Sequence, residues 1–251
     1  MRPFFYLFHI PKASQTMKLI QDGVYLRTFM GLLNTYVLKT PEGVIIVDTA
    51  LTGGQIHRLI NELASIGISA QDVSAIFITH VHPDHVGGLP TLVNILPSSV
   101  KVITHRIEAP IGRGDAPMVN AKPEDVGFPF SVMASRMTTK NPFPARVDVE
   151  VSEGDRVGGI FEVVELPGHA YGQSGLWWPE KRLLIGGDVM MNIPMFGLTK
   201  PLRPATPDMP LAVKSIHKVA AMQVDTLTLG HGAPLQGNAH QQIQKFVDKL
   251  N

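Results

Sequence analysis

A chain of 251 residues, 44% apolar and 17% charged, holds ample material for a core, and no shift in composition marks a second domain. A formal net charge of +1, with Lys and Arg scattered, excludes a nucleic-acid groove and a polybasic membrane patch, and no run approaches the roughly 20 apolar residues that span a bilayer. The absence of cysteine excludes disulfides, thiolate metal ligands and a cysteine nucleophile.

At the N-terminus, Phe4-Phe5-Tyr6-Leu7-Phe8 follows Arg2, but His9 and Pro11 interrupt the apolar run and no small-residue cleavage site follows. The run therefore reads as an arm, packed on the domain or on a second subunit, rather than as a signal peptide. Residues 1–16 are expected to extend a domain spanning 17–251. A cytoplasmic protein that forms a homodimer is the corresponding expectation.

Val24 to Thr28 and Leu32 to Lys39 read as strands around Met30-Gly31, and Val44 to Asp48 as a third after Pro41-Glu42-Gly43, which makes a β-meander. Thr52 caps a helix from Gly54 to Ile66, with Ile56, Leu59, Ile60 and Leu63 on one face, and Gly67 stops it. Val73 to Ile78 is a short buried strand. It ends where Thr79-His80-Val81-His82-Pro83-Asp84-His85-Val86-Gly87-Gly88 begins. Pro83 and the glycine pair favour a tight loop over a long helix. Imidazole and carboxylate are the ligands that zinc and similar divalent metals take. His80, His82, Asp84 and His85 in one such loop point to a metal site rather than a solvated turn.

A short helix near Leu89 to Leu96 and a strand from Val100 to Thr104 follow. From about His105 to Pro144 prolines and glycines break any long element, while methionines and phenylalanines supply apolar bulk. This segment reads either as a lid beside the metal site or as a packed decoration of short helices. Ala145 to Val151 and Ile160 to Leu166 are strands, and Gly175 to Trp178 with Arg182 to Ile185 form a hairpin about Pro179-Glu180-Lys181. A proline-rich connection runs to about Pro207. Asp208 caps a helix to Met222, followed by a strand from Thr226 to Leu229 and a helix from Asn238 to Leu250. Two batches of strands, each followed by helices, predict an α/β protein with two sheets face to face and helices outside, a four-layer αββα sandwich.

Three more metal-competent side chains stand just past strands beside glycines: His169 in Pro167-Gly168-His169, Asp188 in Gly186-Gly187-Asp188 and His231 in Gly230-His231-Gly232. Each is weak alone. Four sites in one context, at one edge of the predicted sheets, are better explained by a single centre. His9, His57, His217 and His240 lack that context and read as structural or surface residues. His105, after a strand where the 105–144 segment opens, reads first as a structural residue, with support of a metal ligand from behind or a substrate contact as the alternative.

These motifs, in this order from about Met17 onward, resemble the metallo-β-lactamase superfamily. The resemblance implies the αββα sandwich with two divalent metal ions at its edge, zinc first and iron or manganese as alternatives. His80, His82 and His169 would hold one ion, Asp84, His85 and His231 the other, and Asp188 would bridge both. A metal-bridging hydroxide would attack the substrate, with Asp84 orienting the nucleophile.

Departures from particular branches narrow the reading. The commonest zinc β-lactamases use a cysteine ligand, which this chain lacks. Flavodiiron oxygen reductases place Glu at the second histidine, so His82 argues for hydrolysis. Glyoxalase II enzymes carry a helical C-terminal domain, whereas this chain ends at Asn251. Superfamily nucleases add basic RNA-binding insertions, and none is evident here. Acyl-homoserine-lactone lactonases are similar in layout, but their tyrosine three residues past the bridging aspartate is Met191 here; Tyr171 reads as a packed aromatic. Met190, Met191, Ile193, Met195 and Phe196 read as a greasy pocket mouth or as core beneath the site.

The expected activity is hydrolysis of a small-molecule ester, lactone or thioester by a dinuclear metal enzyme. The alternatives are a mononuclear iron enzyme of the persulfide dioxygenase type and a non-catalytic relic of the fold.

Overall fold

The computed structural model describes residues 17–250, and the expected arm at 1–16 lies outside them. β1 (Lys18–Gln21), β2 (Val24–Phe29), β3 (Leu33–Thr40) and β4 (Gly43–Val47) form the antiparallel meander. α1 (Gly53–Leu63) crosses to β5 (Val73–Ile78), which pairs parallel with β4. The helix closes in a tightened turn at 64–66 and stops at Gly67, whose φ of 71° is the left-handed geometry that favours glycine. A single helical turn, α2 (Pro83–Val86), sits inside the histidine loop, with Pro83 at its first position where a missing N–H costs nothing. α3 (Leu89–Ile95) then leads to β6 (Lys101–His105), parallel to β5.

The segment that follows β6 carries α4 (Ala109–Arg113), α5 (Pro123–Val126) and α6 (Phe130–Ala134). β7 (Val149–Val151) then completes a seven-stranded sheet in sequential order. The strand expected from Ala145 is shorter than predicted. Asp148 takes the Val102 N–H with its own carboxylate at 2.8 Å, and Arg146 takes the Val100 carbonyl at 2.7 Å. Side chains thus occupy backbone groups that a longer ladder would use.

β8 (Arg156–Val157), β9 (Phe161–Glu165), β10 (Ser174–Trp178) and β11 (Leu183–Ile185) build most of the second sheet. β12 (Met191–Ile193) and β13 (Gly197–Thr199) form a separate hairpin where the sequence suggested only a connection. α7 (Met209–Ala221) starts at Asp208, whose carboxylate accepts the Leu211 N–H at 2.8 Å. β14 (Thr226–Thr228) pairs parallel with β11 in the order β14-β11-β10-β9-β8, and α8 (Ala239–Val247) packs behind it.

Alternation along the strands produces the four layers. Val44 and Ile46 of β4 face α1 and α3, where Ile56, Leu59, Leu63, Leu89 and Leu92 complete one core. Ile45 and Val47 face the second sheet and meet Phe77, Phe161, Val163, Leu176, Leu183 and Ile185. Leu184, on the other face of β11, packs with Leu227 against Ile216, Val219, Ile243 and Val247 of α7 and α8. This is the expected αββα sandwich. Among the described residues no helix is long and apolar enough to cross a membrane.

Candidate metal centre

Strand direction gathers the site. β4 and β5 run parallel, and so do β11 and β14, so their C-terminal ends open on one edge. β9 is antiparallel to β10, which is antiparallel to β11, so β9 ends there too. His80 follows β5, His169 follows β9, Asp188 follows β11 and His231 follows β14. The pairing of Ile185 with Thr228 brings Gly186-Gly187-Asp188 beside Gly230-His231. Gly230 is glycine for a steric reason: a Cβ there would run into the Asp188 carboxylate and the His85 ring.

All seven side chains converge. His80, His82 and His169 form one group whose ligand atoms lie within 4.8 Å of one another, Asp84, His85 and His231 form another, and Asp188 joins His80 and His85 in a third. His82 Nδ1 stands 3.0 Å from His169 Nε2. His231 Nε2 is 3.1 Å from both Asp84 Oδ2 and Asp188 Oδ2. Asp188 also lies 3.5 Å from His85 Nε2 and from His169 Nε2, so it sits between the two outer groups. Asp188 and the histidines are buried, whereas the Asp84 side chain is 33% exposed and turns Oδ2 to His231 from the open side of the cluster.

Hydrogen bonds behind the cluster fix which nitrogens point in. The Thr79 hydroxyl donates to Asp48 Oδ2 at 2.8 Å, so its oxygen accepts from His80 Nδ1 at 3.1 Å. The Thr206 hydroxyl donates to the Leu202 carbonyl at 2.8 Å, so it accepts from His169 Nδ1 at 2.9 Å. His85 Nδ1 donates to Asp48 Oδ2 at 2.8 Å. The Nε2 atoms of His80, His169 and His85 therefore face inward. Among the described residues, His80 Nε2, His85 Nε2 and Asp188 Oδ1 are buried with no hydrogen-bond partner. Buried donors and acceptors are costly to orphan. A nitrogen and oxygen donor set of this kind fits divalent cations between the rings.

The protonation pattern suits the same role. Burial pushes His82 down to about 3 and His169 down to about 4, and neighbouring histidines reinforce burial at His80, so these three rings are neutral at pH 7, the form in which imidazole can take a metal. Burial also opposes charge on His231, but Asp188 and Asp84 outweigh it and hold the pKa up to about 9. His85 is raised in the same way, with burial overcome by Asp188, Asp48 and Asp84. Burial works against ionisation of Asp84 and Asp188, yet the facing histidines keep both below the ordinary carboxylate range.

Sequence reasoning missed four supporting residues. Asp48, at φ 58° just past β4, takes the Thr79 N–H, the Thr79 hydroxyl and His85 Nδ1. Its signal was available, since it is an acid directly after an apolar strand at the same edge. Thr79 and Thr206 carried no such signal. Glu108 is buried in the 105–144 segment and accepts the Val81 N–H at 2.8 Å and the Gly172 N–H at 3.0 Å. It thereby ties the His80–His82 turn to the loop carrying His169.

The remaining side chains divide between agreement and correction. His105 turns away from the cluster and bonds Glu165 at 2.8 Å. Met190 fills the core behind the second sheet, whereas Met195 and Phe196 sit exposed at the tip of the β12–β13 hairpin. Tyr171 is half-exposed rather than packed. His57 is exposed, and His217 and His240 are half-buried on helices away from the centre. His9 lies outside the described residues.

The metallo-beta-lactamase superfamily signature (Lactamase_B) matches residues 31–231. The chain is 24% identical over 243 residues to the probable metallo-hydrolase YflN of Bacillus subtilis (strain 168), covering 88% of each. Its fold is similar to that of the metallo-beta-lactamase family protein TTHA1429 of Thermus thermophilus, with a TM-score of 0.66, 22% identity, and 92% of this chain and 80% of that one covered. TTHA1623, solved in a di-iron-bound form, superposes with a TM-score of 0.60 at 24% identity, covering 87% of this chain and 97% of that one. With the signature running from the β2–β3 turn through His231 and a His/Asp cluster able to bind metal at the shared edge, the chain belongs to the metallo-beta-lactamase superfamily.

Proposed function

We propose that this protein is a dinuclear metal-dependent hydrolase, zinc-loaded, acting on a small neutral or weakly anionic ester, lactone or thioester. The observation that carries the reading is the placement of Asp188 between two groups of three donors, within 3.5 Å of His169 on one side and of His85 and His231 on the other. His80, His82 and His169 would hold one ion and Asp84, His85 and His231 the other, with Asp188 shared. Bound there, two divalent cations acidify a water and stabilise negative charge on the substrate oxygen.

The chain's own groups do the rest. Asp84, ionised and one-third exposed, accepts a hydrogen bond from the attacking water and orients it. The water oxygen bonds to the acyl carbon, the bond to the leaving oxygen or sulfur breaks, and the water's proton passes by way of Asp84 to that leaving atom. Asp48, Thr79 and Thr206 hold three rings so that their lone pairs need no reorganisation. The 105–144 segment acts as a lid or wall: Ala121 N–H bonds the Pro204 carbonyl at 3.1 Å and Arg203 the Asp125 carbonyl at 2.8 Å, beside Thr206. Iron joins the metals worth testing because a fold relative was solved with two irons.

The test is hydrolysis of a panel of esters, lactones and thioesters before and after chelation. Activity lost to the chelator and restored by zinc is the expected result. Activity indifferent to chelation, or seen only as oxygen consumption with iron, overturns the hydrolase reading.

A further inference from the structure

Beside the cluster a cleft of about 80 Å³ opens at His82 and runs between Ile107, Ile111, Met118, Val119 and Tyr171. Its walls come from three parts of the chain: Val81 and His82 from the histidine loop, Ala170 and Tyr171 from the loop carrying His169, and the rest from the segment after β6. Ile107, Val119 and Tyr171 are 42%, 44% and 43% exposed, so apolar surface faces solvent next to a polar centre. The one carboxylate in the lining, Glu108, has both oxygens engaged by the Val81 and Gly172 N–H groups. It repels an anionic substituent and offers no polar handle to a neutral one. The cleft therefore selects for uncharged, apolar matter.

We propose that this cleft receives the aliphatic acyl arm of the substrate, an inference that rests on the ester-class hydrolase reading. The acyl carbon has to sit against the cluster. The cleft begins at a cluster side chain, so the group attached to that carbon is the first to reach it. A cleft of this size takes only the first few methylenes of a chain. A longer chain continues over the exposed faces of Ile107 and Val119. Each methylene that enters raises affinity for the bound state about fourfold.

The experiment measures kcat/KM of the zinc-loaded protein for para-nitrophenyl acetate, propionate, butyrate, pentanoate and octanoate. In parallel, the same protein is titrated calorimetrically with the matching alkanoates. The expected result is a rise of about fourfold per methylene from acetate to pentanoate, levelling towards octanoate. Val119→Asp, which sets a charge in the cleft, should bring the butyrate-to-acetate ratio close to one. Hydrolysis that is flat across the series, or a rise untouched by Val119→Asp, overturns the acyl cleft while leaving the hydrolase reading standing. Absence of hydrolysis for every ester counts against the hydrolase reading instead. The alkanoate titration then decides the cleft by itself: affinity that grows with chain length upholds it, and affinity that does not grow sinks it.

Discussion

Asp48 divides two oxygens among three donors, and that arrangement sets both the Thr79 turn and the His85 ring. Asp48→Asn keeps the size but presents an NH₂ where donors already point. Zinc affinity should fall about 10–100-fold with the fold retained, read by competition with a chromophoric chelator; unchanged affinity would remove Asp48 from the site. Asp84 differs in being partly exposed, with Oδ2 against His231. Asp84→Asn should lower kcat far more than it changes KM, and a loss confined to KM would contradict an orienting role. The histidines also give the site a pH dependence. His231 stays protonated up to about pH 9 because Asp188 and Asp84 outweigh burial, and His85 is raised for the same reason. Metal must displace those protons, so affinity should fall as pH drops below about 9, by roughly tenfold per pH unit for each proton displaced. Calorimetry in buffers of different ionisation enthalpy would count the released protons at pH 7, and none released would contradict the scheme.

At the level of elements, the clustering of these side chains was legible in the sequence because each stands just past an apolar strand and has glycine nearby. Parallel strands then bring chain-distant ends to one edge, as at Asp188 and His231. What was not legible depends on contacts that no local pattern encodes. Glu108 lies in a proline-broken stretch, yet it fastens the His80–His82 turn to the loop after β9. The β12–β13 hairpin was hidden because its strands are short and half-buried, so they lack the alternation that marks a two-faced strand. Tyr171 was expected to pack, as isolated aromatics beside a site usually do, but its surroundings left it open to solvent. Glu108→Ala strands two buried N–H groups and should cost about 1–3 kcal/mol for each, whereas Glu108→Gln, which keeps an acceptor, should cost less. Urea unfolding of the two variants would check this, and equal costs would mean the acceptors do not matter.

At the scale of the whole fold, three large apolar cores among the described residues lie between four layers, and the middle one couples the two halves of the site. The first sheet carries His80, His82, Asp84 and His85, and the second carries His169, Asp188 and His231. The geometry of the two outer donor groups therefore depends on how the sheets pack. Phe77 and Phe161 are fully buried at that contact. Phe161→Ala should cost about 3–5 kcal/mol of stability and weaken metal binding as well, because the sheets then close differently. The sandwich itself followed from the order of strands and helices, since each batch of strands is matched by helices that cover its outer face. The proposed hydrolase requires the seven donors to form one two-ion centre. Elemental analysis of the protein purified without added metal, and again after saturation with zinc and removal of free ion, tests it most directly. Two ions per chain is the expected result, and a chain that holds only one after saturation, with all seven side chains in place, would contradict it.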